Sequence, residues 1–228
     1  MEDLSRFESI CPYTDYEAVK ALGEVSRHPA VPVISKTVFP DKPAGFLGET
    51  LRKVNSIDEF QDVVMSKVVK AILFKTSRGL TFTGLENLKS VEGHKFLLFS
   101  NHRDIILDPA ITQMVLNEAG IPLTEICVGS NLLSGQLVED LLRSNRMIKV
   151  IRGISARELY LSSQLLSRYI RESITSDRSS IWIAQKEGRS KNGLDQTEQG
   201  LLKMFDLSGQ NDFCTNFGEL NIVPVSIS

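Results

Sequence analysis

The sequence predicts an α/β fold, a mostly parallel central sheet with flanking helices, preceded by an N-terminal helical segment. Three observations carry this. After Gly79, short apolar runs of strand length alternate with stretches of helical periodicity. Residues 124–129 read as a buried strand, as expected where helices cover a parallel sheet. The chain has 228 residues, 42% hydrophobic and 24% charged, which is ample for a core. That composition excludes a disordered tail, a collagen-like fibre and a small disulfide-stapled domain.

The elements follow in order. Residues 16–26 place Ala18, Val19, Leu22 and Val25 at helical spacing. Residues 28–46 hold Pro29, Pro32, Pro40 and Pro43 and read mostly as loop. A helix over 44–55 is weakly encoded. Ser56 with Glu59 makes a capping box for a helix over 56–75, whose apolar face is Phe60, Val63, Val64, Val68, Ala71 and Ile72. That face either packs on a core or touches lipid. Beyond it, residues 80–84 and 95–100 read as strands with a turn at Glu92–Gly93, 108–119 as a helix and 124–129 as a strand. Residues 135–142 form a short helix and 147–151 a strand. Ser155 and Glu158 cap a helix reaching about residue 174. A strand over 180–184, a helix over 197–205 and a strand over 222–227 complete the pattern. The division expected is an accessory helical segment over 1–79 and an α/β domain over 80–228. The abrupt strand at the end suggests a domain truncated at its C-terminus.

Charge and cysteine content narrow the function. The 26 Lys and Arg against 28 Asp and Glu give a net charge of −2, which offers nucleic acid no general attraction. Cys11, Cys127 and Cys214 are widely spaced and form no CxxC pair, so neither a zinc site nor a disulfide framework is suggested and a reducing cytoplasm fits. The acidic, polar first residues predict no signal peptide. No apolar run approaches membrane-spanning length. Residues 143–191, however, hold 11 Lys or Arg against 4 Asp or Glu, a local charge of +7, while residues 1–60 are at −3. That asymmetry points to an anionic ligand, a phosphate or an anionic membrane surface. RNA-binding signatures are lacking.

Two constellations carry chemistry. Asn101–His102 directly follows a strand, where active sites of open α/β sheets gather. A neutral imidazole is the natural base for an alcohol near neutral pH, and an aspartate can hold its far nitrogen. Asp104 and Asp108 are both candidates, although Asp108 before Pro109 also fits a helix cap with proline at its first position. The second constellation follows the 180–184 strand: Lys186, Glu187, Gly188, Arg189, Ser190 and Lys191. Three cations beside a glycine make either an anion-binding turn or a solvated charged loop.

With these blocks in order, the chain resembles the glycerolipid acyltransferase family from about Leu80 to Ser228, and most closely a bacterial subgroup of it. The family's first block is Asn or Ser, His, four residues, Asp; here Asn101 and His102 are followed by Asp108, one residue further on. Its second block supplies a substrate-binding arginine at a strand end, matched in MIKVIRG by Arg152 with Lys149 beside it. Its third is Phe-Pro-Glu-Gly-Thr-Arg-Ser, of which Glu187, Gly188, Arg189 and Ser190 are kept. Its last, a hydrophobic-Pro-hydrophobic strand, is matched by Val223–Pro224–Val225.

The resemblance implies acyl transfer from a thioester, acyl-CoA or acyl carrier protein, to a hydroxyl of glycerol 3-phosphate, lysophosphatidate or a related acceptor. It implies His102 as base and Asp108, or alternatively Asp104, as its orienting residue. Lys149, Arg152, Glu187, Gly188 and Arg189 become the acceptor-binding set. No metal and no bound cofactor are expected, and the place expected is the cytoplasm, peripheral at the inner face of an anionic membrane. The extra residue before Asp108 matters because successive helical positions differ by about 100° in direction; a local bulge after His102 is the expected remedy. The alternatives are a hydrolase using the same residues, and a non-catalytic lipid- or anion-binding module derived from such an enzyme.

Overall fold

The computed structural model describes residues 4–153 and 155–228. The acidic start at Met1–Asp3 lies outside the described residues. The chain forms two compact units, one of residues 1–10, 82–131 and 148–228, the other of residues 11–81 and 132–147. In this grouping residues 132–147 go with the helical unit and residues 4–10 with the sheet.

In the helical unit, α1 (Asp15–Val25), α2 (Val31–Val38), α3 (Phe46–Lys53) and α4 (Ile57–Phe60) lead through one π turn (Gln61–Met65) into α5 (Ser66–Thr76). Thr14 and Glu17 close a capping box on α1. The 28–46 stretch, expected to be mostly loop, contains α2. Pro32 sits in its first turn, where a missing N–H costs nothing, and Pro40 and Pro43 lie beyond its end. Leu22, Val25, Val31, Leu47, Leu51, Val54, Phe60 and Val64 form the core, with Val63 and Val68 packed against it. The apolar face of the 56–75 helix thus packs inward, and of the two readings of that face the core one holds. Phe74 alone of its large apolar residues stands 89% exposed.

The other unit is a five-stranded all-parallel sheet in the order β3-β2-β4-β1-β5, which bears out the α/β fold class. Its strands are β1 (Leu97–Ser100), β2 (Glu125–Gly129), β3 (Met147–Val150), β4 (Ile181–Ala184) and β5 (Ile222–Val225). β1 lies between β4 and β5, with Ser100 level with both Ala184 and Val225. Leu97, Leu98, Ile181, Trp182 and Ile183 are buried, so the central strands are apolar on both faces. Each such side chain contributes roughly 1.5–3 kcal/mol by leaving water.

The helices between strands are α6 (Leu107–Glu118), α8 (Ala156–Thr175), α9 (Gln199–Asp206) and α10 (Phe213–Gly218); α7 (Gln136–Arg143) belongs to the helical unit. Ser155 and Glu158 form the expected capping box on α8. Phe205 of α9 packs edge-on against Phe99, centroids 5.7 Å apart. At the N-terminal end of the sheet Tyr169 donates to the buried Glu125 at 2.7 Å.

Two further local features differ from the sequence reading. Among the described residues, 80–84 pair with no strand. Gly79 (φ +149°) and Gly84 (φ +89°) bound them, and Phe82 is left nearly half exposed, so the stretch has strand composition without a neighbouring edge to bond. A 3-10 helix (Leu85–Val91) follows it. The unexpected α10 is started by Asp212, whose carboxylate accepts the N–H groups of Cys214 and Thr215.

Candidate active site

Parallel strands end together, so the residues that follow them share one edge of the sheet. His102 lies two residues past β1 and Glu187 three past β4, and these strands are neighbours in register. The next segments are stitched together as well: Gln185 N–H donates to Ser100 O at 2.7 Å, and Ser190 N–H to His102 O at 2.7 Å. The two sequence constellations are thereby brought to one place.

Asn101 fixes the chain just before the histidine. Its side-chain amide pairs with the backbone of Ile227 beyond β5, donating to the carbonyl at 2.9 Å and accepting the N–H at 2.8 Å. Its own N–H donates to Val225 O.

The histidine's partner is Asp108. His102 Nδ1 and Asp108 Oδ2 are 2.9 Å apart, with side chains 12% and 1% exposed. The same oxygen accepts the N–H groups of Arg103 at 2.6 Å and Asp104 at 2.9 Å. A carboxylate oxygen that already accepts two backbone N–H groups takes the hydrogen of Nδ1, so in the neutral imidazole the lone pair sits on Nε2. The alternative orienting residue, Asp104, does other work. Its Oδ1 accepts from Ile106 N at 2.9 Å and Leu107 N at 2.8 Å. These bonds shape the turn before α6 and explain how the extra residue is absorbed: 103–106 is a loop, so helical phase does not apply there. The N–H of Leu107 above all, then that of Ile106 and the charges of Arg189 and His102, hold the Asp104 carboxyl below its ordinary value against the effect of burial.

Arg152 comes from the other side. It lies two residues past β3, and its N–H donates to Ser130 Oγ at 3.0 Å. Its guanidinium reaches Glu187 at 2.5 Å. Gly129, at the end of β2, makes room: a Cβ there would lie 3.4 Å from Arg152 Nε and 2.5 Å from Asn131 Oδ1. Gly188 takes the left-handed conformation, φ +68°, that turns the chain after Glu187. Arg189 is exposed and its charge acts on Asp104, which places it beside the His102 loop. Lys149 sits inside β3, its N–H bonded to Ile10 O, and is partly buried. Among the described residues no group of three or more His, Cys, Asp or Glu side chains could hold a metal ion.

A family model described as Acyltransferase matches residues 79–228. The chain belongs to the glycerolipid acyltransferase family. No curated protein matches it. The acyltransferase domain covers all five strands and every candidate site residue, and acyl transfer is its general activity.

For that activity the candidate site offers an imidazole bonded to Asp108, a turn bearing Glu187 and Arg189, and the Arg152 guanidinium. A covalent route through Cys127 is disfavoured, because burial first, and then Glu125, pushes its thiol far above its ordinary value. Of the basic residues in 143–191, several serve structure. Arg171 is buried and bonds Glu219, Ser208 and the carbonyls of Phe205 and Asn216. Arg146 pairs with Asp58, Arg143 bonds Cys11 O, and Arg178 stacks on Tyr169. The +7 count is thus not a measure of exposed field.

Residues absent from the sequence-derived site are Ser130 and Asp195. Asp195 Oδ2 accepts from Arg103 Nη2 at 2.7 Å and from Asn101 Nδ2 at 3.2 Å. It sits in a polar loop with no local motif, and only the partners 92 and 94 positions away mark it.

Proposed function

We propose that this acyltransferase moves a fatty acyl group from an acyl-CoA or acyl carrier protein thioester to a hydroxyl of glycerol 3-phosphate, lysophosphatidate or a related acceptor. The observation that carries this reading is the His102–Asp108 bond at the same edge of the sheet as Arg152 and Glu187. His102 Nε2 takes the hydroxyl proton as the acceptor oxygen attacks the thioester carbonyl. The tetrahedral intermediate then expels the thiolate with cleavage of the C–S bond, and the imidazolium returns the proton to sulfur. Asp108 holds Nδ1–H throughout. Arg152 and Arg189, with Lys149, take the acceptor phosphate, and Glu187 and Gly188 shape the pocket around it.

The test is transfer by the purified protein with each acceptor and each thioester, following thiol release and the acylated product by mass spectrometry. Product that forms with a phosphorylated acceptor and disappears in His102→Ala supports the reading. Anion binding without transfer by any pair would favour the non-catalytic module instead.

The same reading puts the protein on the cytoplasmic side of an anionic membrane, where amphiphilic acceptors reside. Ile105 and Ile106, 45% and 64% exposed in the loop between His102 and Asp108, support it. Among the described residues no helix is long and apolar enough to cross a membrane. Flotation with anionic vesicles, weakened by salt and by Ile106→Ser, is expected; absence of flotation points to a water-soluble acceptor.

A further inference from the structure

Asn101 and Arg103 are the neighbours of His102 on either side, and one oxygen, Asp195 Oδ2, accepts from both side chains. The same segment donates Ser190 N–H to the carbonyl of His102 itself, at 2.7 Å. Three bonds therefore tie residues 190–195 to three consecutive residues centred on the base. Asn101 cannot follow a shift of Asp195, because its amide is committed to both backbone groups of Ile227. Gly193, at φ +78°, passes close enough that a Cβ there would lie 3.6 Å from Arg103 Nη1. Within the segment, Ser190 Oγ donates to Leu194 O at 2.7 Å, so it closes on itself. Glu187, Gly188 and Arg189 lead directly into it.

An exposed Arg–Asp pair contributes little to stability by itself. This one is partly buried, with side chains 35% and 29% exposed, and shares its acceptor oxygen with an amide that is already fixed. Its consequence is geometric. We infer that Asp195 is a positioning residue that locks the acceptor-binding turn to His102, so that seating the acceptor phosphate also sets its hydroxyl against Nε2. The inference rests on the acyl-transfer reading above.

Loss of Asp195 leaves the His102–Asp108 bond in place, since that bond is made directly between the two side chains. The base survives; its distance to the acceptor is what drifts. A misplacement of about 1 Å costs on the order of a hundredfold in rate. Asp195→Ala is therefore expected to lower kcat/KM for the acceptor by tenfold to a hundredfold, with KM for the thioester changed less than twofold. Asp195→Asn, which keeps an oxygen acceptor, is expected to recover most of that loss.

The experiment combines these kinetics with amide hydrogen exchange at Ser190 in the purified full chain. Faster exchange at Ser190 in Asp195→Ala, with the acceptor-specific loss and rescue by Asn, supports the inference. Two results overturn it: unchanged kinetics and exchange in Asp195→Ala, or a loss that merely tracks the fraction of unfolded protein, with equal effects on both substrates. If the wild-type chain transfers no acyl group to any acceptor, the functional reading has failed, and exchange at Ser190 alone decides whether Asp195 holds the turn.

Discussion

Arg152 Nη1 meets Glu187 Oε2 at 2.5 Å across the ends of three adjacent strands: the arginine follows β3, passes Gly129 at the end of β2, and finds a carboxylate that follows β4. The cation proposed to meet a phosphate is held by an anion of the same site. Glu187 is 61% exposed, so the pair is a weak latch, worth about 0.2–1 kcal/mol. Glu187→Gln is therefore expected to tighten binding of inorganic phosphate by no more than about fivefold, and Arg152→Ala to weaken it at least tenfold. Titration calorimetry reads both. Arg152→Lys should behave nearer to Ala, since an ammonium lacks the planar fork for a phosphate.

His102→Ala is expected to lower transfer by about 10²–10⁴-fold, the usual worth of a general base. Circular dichroism should be unchanged, because the side chain lies beyond the end of β1 and not in the core. Asp108→Asn is expected to cost less than His102→Ala, as it orients the ring and accepts no proton from substrate. A greater loss in Asp104→Asn than in Asp108→Asn would reverse the assignment.

Asp104 predicts a pH dependence. Its folded-state value lies below the unfolded one, which is near 3.9. Its contribution is therefore full above about pH 4 and is lost as pH falls through the folded value. Asp104→Asn should lower the melting temperature at pH 7, and the gap to wild type should close on acidification below about pH 4. Thermal denaturation across that range measures it.

Arg171 should matter for folding and not for chemistry. It is buried and satisfies the Phe205 and Asn216 carbonyls as well as Glu219. Arg171→Ala is expected to destabilise the protein by about 2–4 kcal/mol, read by denaturant melts, with kcat/KM of the remaining folded protein near wild type.

Much was legible without the fold because the signals are local. Ser155 and Glu158 announce α8, since a capping box closes within four residues. Apolar runs located every strand of the sheet, and placed His102 and Glu187 just past two of them. The strand over 80–84 failed for the complementary reason: composition encodes a willingness to extend, while a strand exists only where another edge supplies its bonds. The proline-rich stretch misled because proline forbids a helix interior but suits its first turn, as Pro32 does.

What tertiary structure alone decided is which distant residues meet. The sequence offered Asp104 and Asp108 to His102; the choice fell to Asp108 because a non-helical loop takes up the added residue and turns Asp104 to its own backbone. The order β3-β2-β4-β1-β5 put β4 beside β1, and so Glu187, Ser190 and Asp195 beside His102. It also set Arg152 across Gly129 to Glu187. Strand order and register arise from long-range pairing and burial, which no window of local sequence contains. The residue types and the strand ends were therefore readable in advance, whereas Asp195, marked by nothing near it in the chain, became visible only when its two partners were in place.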